Sequence, residues 1–367
     1  MRVASQTKPD LIGPARETLR RIWGHADFRG LQAPIIEDVL RGNDVLAVLP
    51  TGGGKSVCYQ LPALLRPGCG LVISPLIALM ADQVEAMKQL GVAAARLDSG
   101  LDPDVRATVW RDLDANRLDL LYISPEGLAQ NHTLQRLQRA AIALIAIDEA
   151  HCVSQWGHDF RPDFLSLRDA IEDLGRPPVL ALTATATPAV IDDIRFLLGI
   201  PGAEVVHTGF YRSNIELSVL RVRGDAEKHG ALLQLLAATE GTTVIYAATV
   251  KAVEELTAFL ATQDIVAAGY HGRMPAKRRA QVQERFMSGE LRRFVATNAF
   301  GLGIDKQDMR FVVHQQSPAS LEQYVQEAGR AGRDGQKANC ILLYDEDDRA
   351  IHEALLQKSR VRPDQLY

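Results

Sequence analysis

The sequence predicts an α/β protein of two tandem lobes, each a mostly parallel sheet flanked by helices. Three observations predict it. Residues 45–49, Val-Leu-Ala-Val-Leu, form a short unbroken apolar run that leads into Gly52-Gly53-Gly54-Lys55-Ser56. Such a run suits a strand covered on both faces. Further apolar runs at 70–74, 118–124, 141–147 and 179–182 alternate with segments of helical periodicity, which is how βαβ units read. From Thr243 the alternation begins again, with strands over 244–247, 266–270 and 294–297 and no second Gly-Lys-Ser. A chain of 367 residues also exceeds what one core ordinarily holds.

Composition narrows the function classes. The hydrophobic share is 47%, enough for two buried sheets, and no apolar run reaches the length of a membrane span. Met1 to Asp10 is polar and carries no signal-peptide hydrophobic stretch, so a cytoplasmic protein without a membrane partner is expected. The four cysteines, Cys58, Cys69, Cys152 and Cys340, are scattered without paired spacing, which predicts neither a disulfide framework nor a zinc site. A net charge of −4 disfavours nucleic-acid binding over the whole surface but leaves room for a local basic groove.

The glycine turn is the organising element. Three glycines let the backbone bend tightly, and their amides can converge on an anion at the start of the next helix. Thr51, Gly52, Gly53 and Gly54 would cradle phosphates, Lys55 would neutralise the outer ones, and the Ser56 hydroxyl would meet Mg²⁺. Leu49 stands where a phosphate loop usually has a small residue. Upstream, Arg29 and Gln32 lie at a helix start. In isolation they read as surface residues; ahead of a phosphate loop, Gln32 reads as an adenine contact and Arg29 as a cover for the base plane.

Phe28-Arg29-x-x-Gln32 followed by Pro50-Thr-Gly-Gly-Gly-Lys-Ser56 resembles the opening of a RecQ-family DNA helicase, within helicase superfamily 2. That family usually has an aromatic residue where this chain has His25. The resemblance continues in order to about Tyr344. It implies two RecA-like lobes with ATP in a cleft between them, and a nucleic-acid strand crossing the opposite face of both.

The remaining elements follow in chain order. Two strands end in Ser74-Pro75 and Ser124-Pro125, placing Ser74 and Ser124 at the sheet edge that binds ligands in α/β folds. There they read either as plain turn residues or as contacts to a nucleic-acid backbone. The strand at 141–147 delivers Asp148-Glu149-Ala150-His151. Asp148 suits the hydration shell of Mg²⁺, Glu149 suits a general base for the attacking water, and His151 suits a relay. Ser154 to Phe164 contains Trp156, Phe160 and Arg161 among residues too polar for a core. Exposed aromatics with arginine make a stacking platform for single-stranded bases, and the segment resembles the aromatic-rich loop of RecQ enzymes. Thr183 and Thr185, after the fifth strand, are placed to bond with His151 and couple nucleotide state to DNA.

Residues 1–208 are assigned to the first lobe, 209–345 to the second and 346–367 to a tail. Phe210-Tyr-Arg-Ser-Asn214 reads as the crossing, with Ser213 where the family commonly has proline. Residues 274–293 carry six basic residues against Glu284 and Glu290, read as a solvated face. The stretch Val295 to Asp305 resembles the family's motif V: Thr297 would contact a DNA phosphate, and Asp305 the ribose or the arginines. In Tyr324 to Gly335, Arg330 and Arg333 lie three apart on one face of a helical turn. Arg333 is the candidate finger and Gln326 a candidate for positioning the water or the γ-phosphate.

By this resemblance the chain is expected to be an ATP- and Mg²⁺-dependent DNA helicase moving 3′→5′ on single-stranded and tailed duplex DNA, in repair or recombination. Two alternatives stay open: a DNA-stimulated translocase core that separates strands poorly alone, and a nucleotide-switched binding protein without turnover. RNA is a lesser candidate for the track. RecQ enzymes commonly continue into a four-cysteine zinc module and a winged helix, which this sequence lacks; an accessory domain or partner protein is the expected substitute.

Overall fold

The computed structural model describes residues 10–50, 52–154, 160–207, 209, 212–298, 300 and 306–359. Thr51, Trp156 and Asp305, with the motif V glycines Gly301 and Gly303, lie outside the described residues. The chain divides into two compact units, Met1–Phe210 and Tyr211–Tyr367.

Unit 1 holds a seven-stranded parallel sheet. Its strands are β1 (Val45–Val48), β2 (Cys69–Ile73), β3 (Ala94–Leu97), β4 (Leu120–Ile123), β5 (Ile142–Ile147), β6 (Val179–Thr183) and β7 (Glu204–His207). Their order across the sheet is β3-β4-β2-β5-β6-β1-β7. Alternate side chains point to opposite faces. Leu46, Val48, Leu71, Ile73, Ile145 and Ile147 fill one core, and Val45, Ala47, Val72, Leu144 and Ala146 fill the other. Leu49, out of place as a phosphate-loop residue, belongs to the second core, and its amide extends the ladder to the Thr183 carbonyl at 3.0 Å.

Register decides where the chemistry emerges. Ile73 lies opposite both Ile123 and Ile147, and Val48 lies opposite Thr183. Ile147 lies opposite Ala181, so the carboxyl ends of these five strands fall within two residues of one another. The glycine turn, Ser74, Ser124, Asp148 and Thr183 all leave the sheet at one edge, the ligand-binding edge of an open α/β sheet.

Two helices pack beside the helix that the glycine turn opens: α1 (Ile12–Trp23) and α2 (Gln32–Arg41) form a small core with Leu61 of α3 (Lys55–Leu65). Each of the first two stops at a left-handed glycine, Gly24 and Gly42, the usual way to end a helix without Cβ strain.

Unit 2 is a six-stranded parallel sheet of β8 (Ile215–Arg221), β9 (Thr242–Tyr246), β10 (Ala268–Tyr270), β11 (Arg293–Ala296), β12 (Met309–His314) and β13 (Ala338–Tyr344), in the order β10-β11-β9-β12-β13-β8. One face packs Phe286, Phe294 and Phe300, the other Leu232, Leu256 and Leu260. The acidic stretch after β13 is woven into this unit. Asp348 is buried against the Lys228 ammonium and accepts the Ser317 amide at 2.8 Å. Among the described residues no helix is long and apolar enough to cross a membrane.

Candidate nucleotide and nucleic-acid site

The glycine turn has the geometry an anion cradle needs. Gly52 and Gly54 have φ of 81° and 74°, the left-handed region where a side chain is strained. A Cβ on Gly53 would come within 2.9 Å of the Pro50 carbonyl, and one on Gly54 within 2.2 Å of the Gln32 amide nitrogen. Lys55 opens α3 directly after Gly54, so the turn feeds a helix N-terminus with its partial positive charge. Gln32 is buried and bonded within the protein at both ends of its amide. Its Nε2 donates to the Gly54 carbonyl at 3.0 Å, and its Oε1 accepts the Arg29 amide at 2.8 Å. Gln32 thus braces the turn, with a second N–H and a second lone pair left over on its amide.

Asp148 and Glu149 stand at the end of β5. Asp148 is buried, and burial together with the neighbouring Glu149 charge pushes its carboxyl up to about 7, while the Lys55 ammonium works in the opposite direction. The glycine turn and the acidic pair thus share one electrostatic site. Glu149 is held at φ 51°, ψ 45°, a left-handed conformation that costs a non-glycine residue roughly 1–3 kcal/mol. Such strain is retained where it aims a side chain. The donor set available here, the Ser56 hydroxyl and the Asp148 carboxylate, is hard oxygen, which suits Mg²⁺. A cation would also offset the unfavourable burial of negative charge at Asp148, so these residues fit the ion.

From the acidic pair a polar chain runs back into the sheet. His151 Nδ1 lies 3.4 Å from Glu149 Oε2 and 3.0 Å from Thr183 Oγ1, and the Thr183 hydroxyl donates to the Thr185 carbonyl at 2.9 Å. His151, Thr183 and Thr185 are all buried. Of the two threonines expected to bond with His151, Thr183 does so through its hydroxyl, and Thr185 joins the chain through its backbone carbonyl.

The residues expected to touch nucleic acid divide. Ser74 is buried at the sheet edge, and its hydroxyl has no hydrogen-bond partner among the described residues; an orphaned buried hydroxyl calls for an explanation such as a ligand. Ser124 instead caps the short helix Pro125–Leu128, accepting the Gly127 amide at 3.2 Å. Arg161 Nη1 donates to the Pro75 carbonyl at 3.1 Å, tying the end of the aromatic-rich loop to the Ser74-Pro75 turn. Phe160 is half-buried.

In unit 2 the helix Leu321–Ala328 stops at Gly329. Arg330 and Arg333 lie beyond it on tightened turns, with the Arg330 amide bonding the Glu327 carbonyl at 3.2 Å. Arg330 is buried, Arg333 and Gln326 half-buried. Glu327, adjacent to Gln326, is buried and lies 2.8 Å from His314 Nε2. Thr297 is buried at the end of β11. Arg212 and Asn214, which by sequence read only as part of the crossing between lobes, grip the arginine turn. Arg212 donates to the Gly329 and Gly332 carbonyls at 2.9 and 2.6 Å, and Asn214 donates to those of Gly332 and Gln336, both at 2.8 Å. Nothing in their spacing points to partners so distant in sequence.

Parallel α/β units, one with a glycine turn beside Asp-Glu-Ala-His and one with an Arg-x-x-Arg turn, define a superfamily 2 helicase core of two RecA-like lobes. Comparison with known proteins agrees. The DEAD/DEAH box helicase family matches residues 29–194 and the helicase conserved C-terminal domain residues 227–335. A probable ATP-dependent DNA helicase RecS of Bacillus subtilis is 40% identical over 96% of this chain and 71% of its own length. The ATP-dependent DNA helicase RecQ of the same organism is 40% identical over 95% of this chain and 59% of its own length. Among solved structures, yeast (S. cerevisiae) Dbp5 bound to RNA and ADP BeF3 superposes with a TM-score of 0.70 at 18% identity, over 94% of this chain and 90% of that one, a likeness of fold alone. The chain belongs to the RecQ family of ATP-dependent DNA helicases, and it spans a little under two thirds of the RecQ relative it matches.

Proposed function

We propose that this chain hydrolyses ATP in response to single-stranded DNA and uses the cycle to move 3′→5′ and separate tailed duplexes, in repair or recombination. The observation that carries the reading is the convergence in unit 1 of Lys55, on its glycine turn, with the buried Asp148 and the strained Glu149.

The residue roles follow from the chemistry each can perform. The amides of residues 51–54 and Lys55 hold the phosphates, with Gln32 and Arg29 beside the base. Ser56 and Asp148 hold Mg²⁺, which when bound supplies charge neutralisation on the phosphate oxygens. Glu149 accepts the proton of the attacking water, and Gln326 orients the reacting groups. Arg330 and Arg333 neutralise charge developing on the transferred phosphate, an effect worth ~10³–10⁵ in rate, with Arg333 as the finger. Asp305 contributes to the ribose or the arginines. Ser74, Ser124 and Thr297 contact the strand's phosphates, and Trp156, Phe160 and Arg161 give its bases a stacking platform. His151, Thr183 and Thr185 pass the state of one site to the other. Lobes 1–208 and 209–345 carry these two sets of groups, with 346–367 following.

The working environment proposed is the bacterial cytoplasm or nucleoid, with an accessory domain or partner protein assisting strand separation. The test pairs two measurements on the purified chain: ATPase rates with single-stranded DNA or RNA of one sequence, and unwinding of duplexes tailed at the 3′ or the 5′ end. Stimulation by DNA with unwinding of the 3′-tailed duplex alone supports the proposal. Stimulated hydrolysis without unwinding selects the translocase-core reading, and ATP binding without turnover contradicts both.

A further inference from the structure

The arginine turn of unit 2 is held by side chains whose role the motif pattern does not assign. The last carbonyls of helix Leu321–Ala328 are taken by the amides of the turn, Val325 by Gly329, Glu327 by Arg330 and Ala328 by Ala331, which leaves the turn's own carbonyls facing outward from the helix ladder. The Arg212 guanidinium takes up the place at this helix end, donating to Gly329 and Gly332, the carbonyls on either side of Arg330. The Gly332 carbonyl also accepts from Asn214, whose side chain reaches on to Gln336. Gly332 has φ 55°, and a Cβ there would meet Asn214 Nδ2 at 2.6 Å and the Gln336 carbonyl at 2.7 Å. The same turn is anchored to the sheet: the Gly332 amide donates to Met309 at 2.8 Å, and the Asn214 carbonyl accepts the Ala338 amide at 2.9 Å. A turn gripped on both flanks of Arg330 has little freedom to re-aim either arginine.

The grip is costly. Arg212 is about half-buried, and burial, followed by the like charge of Arg333, pulls its pKa below the usual arginine value. On the turn it donates to two neutral carbonyls, and the Asp334 charge works in the opposite direction to burial. A planar fork spanning two carbonyls is a geometric device that a lysine cannot copy. We infer that Arg212 and Asn214 are positioning residues for Arg330 and Arg333, fixing the turn in the conformation in which those guanidinium groups act. The inference rests on the proposed role of Arg330 and Arg333 at the transferred phosphate.

The test is steady-state ATPase at saturating single-stranded DNA for the wild type, Arg333→Ala, Arg212→Lys and the double variant, with thermal melts of each. Arg212→Lys is expected to lower kcat about 10- to 100-fold, the usual cost of misplacing a reacting group by about 1 Å, with KM for ATP and DNA affinity unchanged. The double variant is expected to lose less than the product of the two single losses, because part of what Arg212 does is aim a finger that is already absent. Full activity in Arg212→Lys, or losses that multiply in the double variant, would overturn the inference. Undiminished turnover in Arg333→Ala would instead overturn the role of the finger, so the two failures are distinguishable. Should Arg212→Lys fail to fold, Asn214→Ser probes the same Gly332 carbonyl, with the same split between kcat and KM expected.

Discussion

His151 Nδ1 lies 3.0 Å from Thr183 Oγ1, joining the histidine two residues past the acidic pair to the tip of β6 inside unit 1. Both groups are buried, where a hydrogen bond is strong and its loss leaves a polar atom stranded. The Glu149 carboxylate faces the same imidazole nitrogen at 3.4 Å. A change in charge at Glu149 is therefore felt at Thr183 and, through the carbonyl it donates to, at Thr185.

Thr183→Val removes the hydroxyl and keeps the shape. Basal ATP hydrolysis is expected to persist, while stimulation by single-stranded DNA falls about tenfold, within the range of ordinary coupling energies. Measuring ATPase rates with and without DNA checks this, and full stimulation would show that the link carries no signal.

The raised Asp148 carboxyl makes stability depend on pH. An acid whose folded pKa lies above its unfolded value binds its proton more tightly when folded, so the metal-free protein loses stability as pH rises from about 4 through about 7. Asp148→Asn removes that loss. In EDTA its melting temperature is expected to match the wild type at low pH and exceed it above pH 7, by roughly 2–4 °C for each kcal/mol recovered. A gap that shrinks as pH rises would contradict the assignment.

The two edge serines should separate in behaviour. Ser124→Ala loses a helix cap and is expected to cost about 1 kcal/mol of stability. Ser74→Ala deletes a buried hydroxyl with no partner among the described residues, so its melting temperature should hold while affinity for single-stranded DNA drops. Melts and fluorescence anisotropy on both variants decide the matter; a Ser74→Ala protein with unchanged DNA affinity would leave the orphaned hydroxyl unexplained.

Gly54→Ala places a methyl 2.2 Å from Gln32 Nε2 on a backbone at φ 74°. The turn and its Gln32 brace cannot both survive that. Titration with a fluorescent ATP analogue is expected to show nucleotide affinity reduced about tenfold or more, corresponding to the 1–3 kcal/mol of a strained backbone position; unchanged affinity would mean the turn is not the phosphate cradle.

Much of this was readable in the sequence, for identifiable reasons. Strands buried on both faces write themselves as continuous apolar runs, so β1, β2, β4, β5 and β6 stood out. Strands β3 and β7 lie at the sheet edges. Ala-Ala-Arg-Leu and Glu-Val-Val-His are too short and too mixed to signal. In β8, Leu217 and Val219 are exposed, so burial imposes no pattern there, and β12 was passed over as well. The glycine turn and Asp148-Glu149 were legible because their chemistry is contiguous. Arg212 was not, since its partner Gly329 lies 117 positions away. Likewise, only the fold shows that Gln32 braces Gly54, that Ser124 caps a helix, and that Arg161 binds the Pro75 carbonyl.

The central claim, that Glu149 drives ATP turnover beside the glycine turn, is tested most directly by steady-state hydrolysis in Glu149→Gln with saturating single-stranded DNA. The expected rate is at least ~10²-fold below wild type, the scale of a lost general base, with nucleotide still bound. Turnover at the wild-type rate would contradict it.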